Sequence, residues 1–140
     1  MIPLRLVLDT NVVISAALKP EGLQRTVLML ALTAPSHLYV TREILAEYRE
    51  VLARPQLGIR KGLRQQFAQL IRNHGRLVHP RYAIEAAREP DDDKFLECAD
   101  AARADYLVTG NLKHFPRFWK TTKIITSREF LPILAPHLTA

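Results

Sequence analysis

The chain has 140 residues, 48% of them hydrophobic and 24% charged, with 20 Lys and Arg against 14 Asp and Glu and a formal charge of +6. That length and apolar share suit one domain over residues 1–140 with a core of its own, and exclude disorder, because the charges are dispersed between apolar runs. The most apolar stretch, residues 27–34, falls far short of the roughly 20 residues a bilayer span needs, so no membrane is expected among the partners.

The opening residues run straight into strand-like sequence around Arg5, with no small-residue cleavage site, and Cys98 is the only cysteine. Together these predict a cytoplasmic chain without secretory leader, intramolecular disulfide or Cys-based zinc site. The positive balance favours an acidic partner, nucleic acid first. Against it, Glu89, Asp91, Asp92 and Asp93 crowd into five positions.

Residues 4–8 form an apolar run that ends abruptly at Asp9-Thr10-Asn11, a buried strand feeding a polar turn. Residues 12–18 read as a helix closed by Lys19-Pro20-Glu21-Gly22, residues 24–32 as a second helix broken near Pro35, and residues 37–40 as a strand. Thr41 is placed to cap a helix that runs to about residue 52 and stops at Arg54-Pro55. A helix over residues 63–73 follows, with Gly75 just past its end as a C-cap. Residues 76–78 predict a third short strand.

A loop holding Pro80 and Pro90 leads into a helix over about residues 93–104. Residues 106–108 predict a strand with Thr109-Gly110-Asn111 as the turn after it, and residues 123–126 a last strand. Ser127 then caps a terminal helix over residues 128–134 that contains Pro132. Apolar strands alternating with helices predict an α/β fold, a parallel sheet of about four to five short strands covered on both faces.

In open parallel sheets, ligands sit beyond the carboxyl ends of strands where the winding reverses. If the strands before them are neighbours, Asp9 and Asn111 share one rim; otherwise each simply caps a turn. On the 42–52 helix, the stripe Ile44, Leu45, Tyr48, Val51 and Leu52 sets Glu47 at its edge and turns Glu43 and Glu50 outward. The competing reading of Glu47 is an exposed glutamate paired with a neighbouring arginine.

On the 93–104 helix, Asp92 falls in line with Phe95, Leu96, Ala99 and Ala102, as a ligand, an N-cap or both. Asp93, Glu97 and Asp100 project away, and Asp91 and Asp93 belong to a solvated loop. Three carboxylates and an amide oxygen form a hard donor set suited to Mg²⁺ or Mn²⁺. With a basic surface, that set suggests phosphodiester hydrolysis.

Segment 113–120 interleaves bases with aromatics, which makes Lys113, Arg117 and Lys120 candidate nucleic-acid contacts. The reading preferred there is that Phe115 and Trp119 cover the sheet edge. His37, His74, His79, His114 and His137 are scattered without ligand spacing, and Cys98 reads as core.

Four motifs occur in order: Val7-Leu8-Asp9-Thr10-Asn11-Val12, Ile44-Leu45-Ala46-Glu47-Tyr48, Pro90-Asp91-Asp92-Asp93-Lys94-Phe95-Leu96 and Leu107-Val108-Thr109-Gly110-Asn111. Together they resemble the PIN-domain nucleases, above all the VapC-like toxins, over essentially the whole chain. The resemblance implies a three-layer α/β/α domain and a Mg²⁺-dependent endoribonuclease, with Mn²⁺ able to substitute. It also implies an RNA substrate, a cognate antitoxin as partner and a homodimer.

Carried over by position, Asp9, Glu47 and Asp92 would be the metal ligands and catalytic acids. Thr10, Asn11, Asp93 and Thr109 would support them. The fourth acid of the family falls on Asn111, a departure, since an amide lends an oxygen but no charge. Two other functions fit the residues: an RNA-binding or regulatory module whose site has weakened, and a metal-dependent phosphatase acting on small molecules, which the basic balance disfavours.

Overall fold

In the computed structural model, which describes residues 3–134, β1 (Arg5–Leu8) buries three consecutive residues with no polar alternation. A strand of that kind is covered on both faces. β2 (His37–Val40) repeats the pattern, and the two pair in parallel. β3 (Arg76–Leu77) joins β2 on the far side.

The chain then crosses back to place β4 (Tyr106–Val108) against the other flank of β1, with Leu8 beside Val108 in register. β6 (Thr122–Ile125) pairs in parallel with β4, and β5 (Phe118–Trp119) runs antiparallel along its outer edge. The sheet therefore has six strands in the order β3-β2-β1-β4-β6-β5, where the sequence suggested four to five. The additional edge strand is β5, two residues inside a basic, aromatic segment that carries no alternating pattern.

Helices α1 (Thr10–Leu18), α2 (Leu23–Ala31), α3 (Arg42–Leu52), α4 (Lys61–His74), α5 (Asp93–Ala102) and α6 (Ser127–Leu134) complete the α/β/α arrangement. α5 lies across β1, β2 and β4, while α1 sits on α2 and α3, and α4 on α3. The core joins Leu6, Leu8, Leu38 and Leu107 of the sheet to Ile44 and Tyr48 of α3, Phe95 and Leu96 of α5, and Phe130 of α6, all nearly or wholly buried. None of the described helices is long and apolar enough to cross a membrane.

Thr41 caps α3 through its side chain, which accepts from the Ile44 amide at 3.1 Å. Gly75 closes α4 differently from a left-handed cap. Its backbone is extended, and its N–H donates to the Ile71 carbonyl at 2.7 Å. A Cβ there would lie 2.5 Å from that carbonyl oxygen, so close approach and not positive φ requires glycine. Gly75→Ala is expected to lower unfolding free energy by about 1–3 kcal/mol, the usual cost of forcing an atom into filled space. Urea unfolding of both proteins measures it.

Three acids of α5 also depart from expectation. Asp93, Glu97 and Asp100, predicted to project away, form one row on the helix, and the chain between β3 and α5 folds over it. Asp93 Oδ1 accepts the N–H groups of Ala86 (3.0 Å) and Ala87 (2.7 Å), and Glu97 Oε2 accepts that of Ile84 (3.0 Å). Asp100 Oδ1 takes the Tyr82 hydroxyl, the Trp119 indole N–H and the Lys120 ammonium. Helical phase measured against the apolar stripe could not reveal this, because what covers the row is a loop with no pattern of its own.

Candidate active site

The winding reverses between β1 and β4, so the crevice beyond their carboxyl ends is where a ligand site belongs. Residues 9 and 109 follow directly on the registered pair Leu8 and Val108. The Asp9 N–H donates to the Val108 carbonyl at 2.9 Å, and the Thr109 N–H to that of Ile125 at 2.9 Å. Asp9 caps α1 and faces the crevice at once: Oδ1 accepts the Thr10 N–H at 2.7 Å and Oδ2 the Thr109 hydroxyl at 2.7 Å. Thr109 Oγ1 in turn accepts the Asn111 N–H at 3.0 Å, and Asn11 Oδ1 accepts that of Gly110 at 3.2 Å. Asp9 thus caps α1 and also lines the cleft, so the capping reading and a place at the rim coexist.

Glu47 enters from α3. The neighbouring Tyr48 is fully buried and its hydroxyl donates to the Leu8 carbonyl, which fastens α3 to the end of β1. Glu47 Oε2 accepts the Thr10 hydroxyl and Oε1 contacts the ammonium of Lys94. Its partner is therefore a buried lysine of α5, not an arginine of its own helix. Lys94 Nζ also lies 3.1 Å from Asp91 Oδ1. Burial opposes the charge on Lys94, but its bonds to Glu47 and Asp91 outweigh that and hold the ammonium above its ordinary range.

Asp92 makes no capping bond to α5. Its Oδ2 lies 3.1 Å from His114 Nδ1, and the side chain faces an open cleft of about 520 Å³ shared by Asp9, Glu47, Asp91, Asn111 and His114. Asn111 sits exposed at the rim.

Crowded carboxylates repel one another's charge. Burial first, and then the charges of Asp92 and Glu47, lift Asp9 from 3.8 to about 6, against the pull of its Thr109 and Thr10 bonds. Burial likewise raises Asp92, and Asp91 and Glu47 add to the rise while His114 lowers it. The donor set, all hard oxygens, fits a divalent cation such as Mg²⁺ in chemistry. It is not closed into a cage: among the described residues, no three His, Cys, Asp or Glu groups converge to hold an ion. Glu47 is held on Thr10 and Lys94 instead.

Of the residues singled out from sequence, Asp9, Thr10, Asn11, Glu47, Asp92 and Asn111 line this cleft, and Thr109 orients Asp9. Asp93 does not, being turned to the 84–87 loop. Lys113, Arg117 and Lys120 lie around a separate cleft with the exposed Phe118, and Lys120 is paired with Asp100. Phe115 is buried edge-on against Phe95 of α5, and Trp119, in the edge strand β5, pairs with Thr122 of β6. In the sequence Lys94 carries no assigned role, and His114 stands aside as one of five scattered histidines. His114 had a signal, its place three residues after Asn111, whereas a lysine in an acid run reads as solvated. His137 lies outside the described residues.

A family model described as PIN domain matches residues 5–113. The uncharacterized protein MJ1680 of Methanocaldococcus jannaschii is 26% identical over 142 residues, an alignment covering 93% of this chain and 91% of that protein. A crystal structure of VapBC2 from Rickettsia felis, bound to a DNA fragment from their promoter, superposes with a TM-score of 0.59 at 17% identity. It covers 87% of this chain and 98% of the matched one, and shares the fold.

Proposed function

The chain belongs to the PIN-domain family, a family of nucleases, and from that premise we propose that it is a metal-dependent endoribonuclease, the toxin of a toxin–antitoxin pair. The observation that carries this reading is the delivery of Asp9, Glu47 and Asp92 by three separate elements into one cleft at the β1–β4 switch point. Asp9 and Asp92 would hold Mg²⁺, and Mn²⁺ would substitute, while Glu47, the third acid expected from the motifs, is engaged by Thr10 and Lys94. When bound, such a cation supplies positive charge to a phosphoryl oxygen and eases deprotonation of the attacking water.

The rest is the work of the protein's own groups. Thr109 and the Thr10 N–H fix both oxygens of Asp9. His114 steadies Asp92 at 3.1 Å and, when protonated, offsets part of its charge. Asn111 presents an amide at the open rim, where a substrate strand would pass. The net charge of +6 draws a polyanion toward a cleft whose own acids would repel it. The toxin role, the antitoxin partner and a homodimer rest on the motif resemblance to VapC-like toxins, and the fold shared with VapBC2 supports the first two.

Cleavage assays on RNA, DNA and a small phosphate ester, with Mg²⁺ and with chelator, test the reading. Mg²⁺-dependent cleavage of RNA alone is expected; hydrolysis of the ester alone points to a phosphatase. RNA binding without cleavage points to a regulatory module, the second reading, which Asn111 in place of an acid favours. Asn111→Asp is expected to tighten Mn²⁺ binding several-fold in calorimetric titration, because one added carboxylate at a solvated site strengthens attraction modestly. Indistinguishable affinities would remove Asn111 from the site.

A further inference from the structure

Lys94 is the one basic side chain of the site that is nearly excluded from solvent, at 8% exposure, although a lysine stem four carbons long ordinarily carries its ammonium to water. Its position follows from α5, whose first turn buries Asp93, Lys94, Phe95 and Leu96 in succession. The stem therefore runs inward, and the ammonium meets Glu47 Oε1 and, at 3.1 Å, Asp91 Oδ1. The second oxygen of Glu47 is taken by the Thr10 hydroxyl. Glu47 is thereby neutralised by a charge the chain itself supplies, whereas among the described residues neither Asp9 nor Asp92 pairs with a lysine or arginine, and Asp92 meets His114.

Two halves of one cleft are thus treated differently. On one side Asp9 and Asp92 repel each other and, among the described residues, form no ion pair with a lysine or arginine. On the other, Glu47 already has its cation. An incoming divalent ion is attracted to the first and repelled from the second by a fixed positive charge. Asn111 adds oxygen without charge, so it does not offset that repulsion.

We propose that Lys94 occupies, as a fixed ammonium, the cation position beside Glu47, so that the chain takes one divalent ion at Asp9 and Asp92 and no second ion. The inference deepens the metal-centre reading and rests on it. Lys94 is a positioning residue: it sets where the metal charge sits in the cleft and how much of it there is.

Calorimetric titration of the metal-free protein with Mn²⁺ tests the proposal without reference to cleavage. The wild type is expected to bind one ion per chain. Lys94→Met, which keeps the stem and removes the charge, is expected to bind a second ion or to tighten Mn²⁺ binding by about an order of magnitude. Lys94→Arg is expected to keep the wild-type stoichiometry.

Two ions per wild-type chain, or a folded Lys94→Met protein with unchanged stoichiometry and affinity, overturns the inference and leaves the metal centre standing. Absence of Mn²⁺ binding in both proteins overturns the metal centre and the inference with it. The wild-type stoichiometry decides the matter even if Lys94→Met fails to fold, which circular dichroism reports.

Discussion

Asp92→Asn is expected to reduce Mg²⁺-dependent RNA cleavage by about a thousandfold or more while leaving the melting temperature of the metal-free protein unchanged or higher. The rate loss follows from the several kcal/mol of transition-state charge stabilisation a divalent ion provides, each 1.36 kcal/mol being tenfold. The stability side follows from the position of the residue. Asp92 makes no capping bond, its carboxyl is raised by burial and by Asp91 and Glu47, and an asparagine still reaches His114. Removing the charge therefore relieves repulsion and gives up only a half-exposed pair of small worth. RNA cleavage and thermal melts on the same preparation separate the two effects. Unchanged cleavage would exclude Asp92 from the metal centre.

The second large effect concerns pH. Asp9, 7% exposed, has its carboxyl lifted from 3.8 to about 6, chiefly by burial. A carboxyl whose native value lies above its unfolded one favours folding while protonated. That contribution is complete below the unfolded value and is lost as pH rises through the native one. For Asp9 the window runs from about pH 4 to about pH 6, and ionising it at neutral pH costs about 3 kcal/mol of stability.

Asp9→Asn keeps the Thr10 bond and weakens the one to Thr109, worth about 1 kcal/mol. The variant is therefore expected to be more stable than wild type by about 2 kcal/mol at neutral pH, and less stable by about 1 kcal/mol below pH 4. Urea unfolding with chelator across that range measures the difference; parallel curves would show that Asp9 carries no such penalty. Adding Mg²⁺ at neutral pH should stabilise the wild type and leave the variant largely unaffected.

Much of this was legible in the residues because the signals were local. Leu6, Val7 and Leu8 running into Asp9, and Leu107 and Val108 into Thr109, state both a buried strand and its polar end. Thr41 announces the start of α3, and the stripe of α3 sets Glu47 beside the interior. What escaped depends on segments distant in sequence. The row Asp93, Glu97 and Asp100 looks solvated until Ile84, Ala86 and Ala87 bring their amides to it.

β5 exists only because β6 offers it an edge. Gly75 was correctly placed at the end of α4 but for another reason, a backbone contact with Ile71. Lys94 was overlooked because its partner Glu47 stands 47 residues away on another helix.

The bond between Thr109 and Asp9 joins residues 100 positions apart, and the strands behind them pair across the same interval. Synthesis runs from the N-terminus, and a contact of that span cannot form before its far end has left the ribosome. The crevice thus comes into being only after β4 and its turn have emerged. On the proposed reading, a ribonuclease assembled in this way would be harmless to the message that encodes it until that crevice forms. A partner seeking to restrain it need act only on the finished fold.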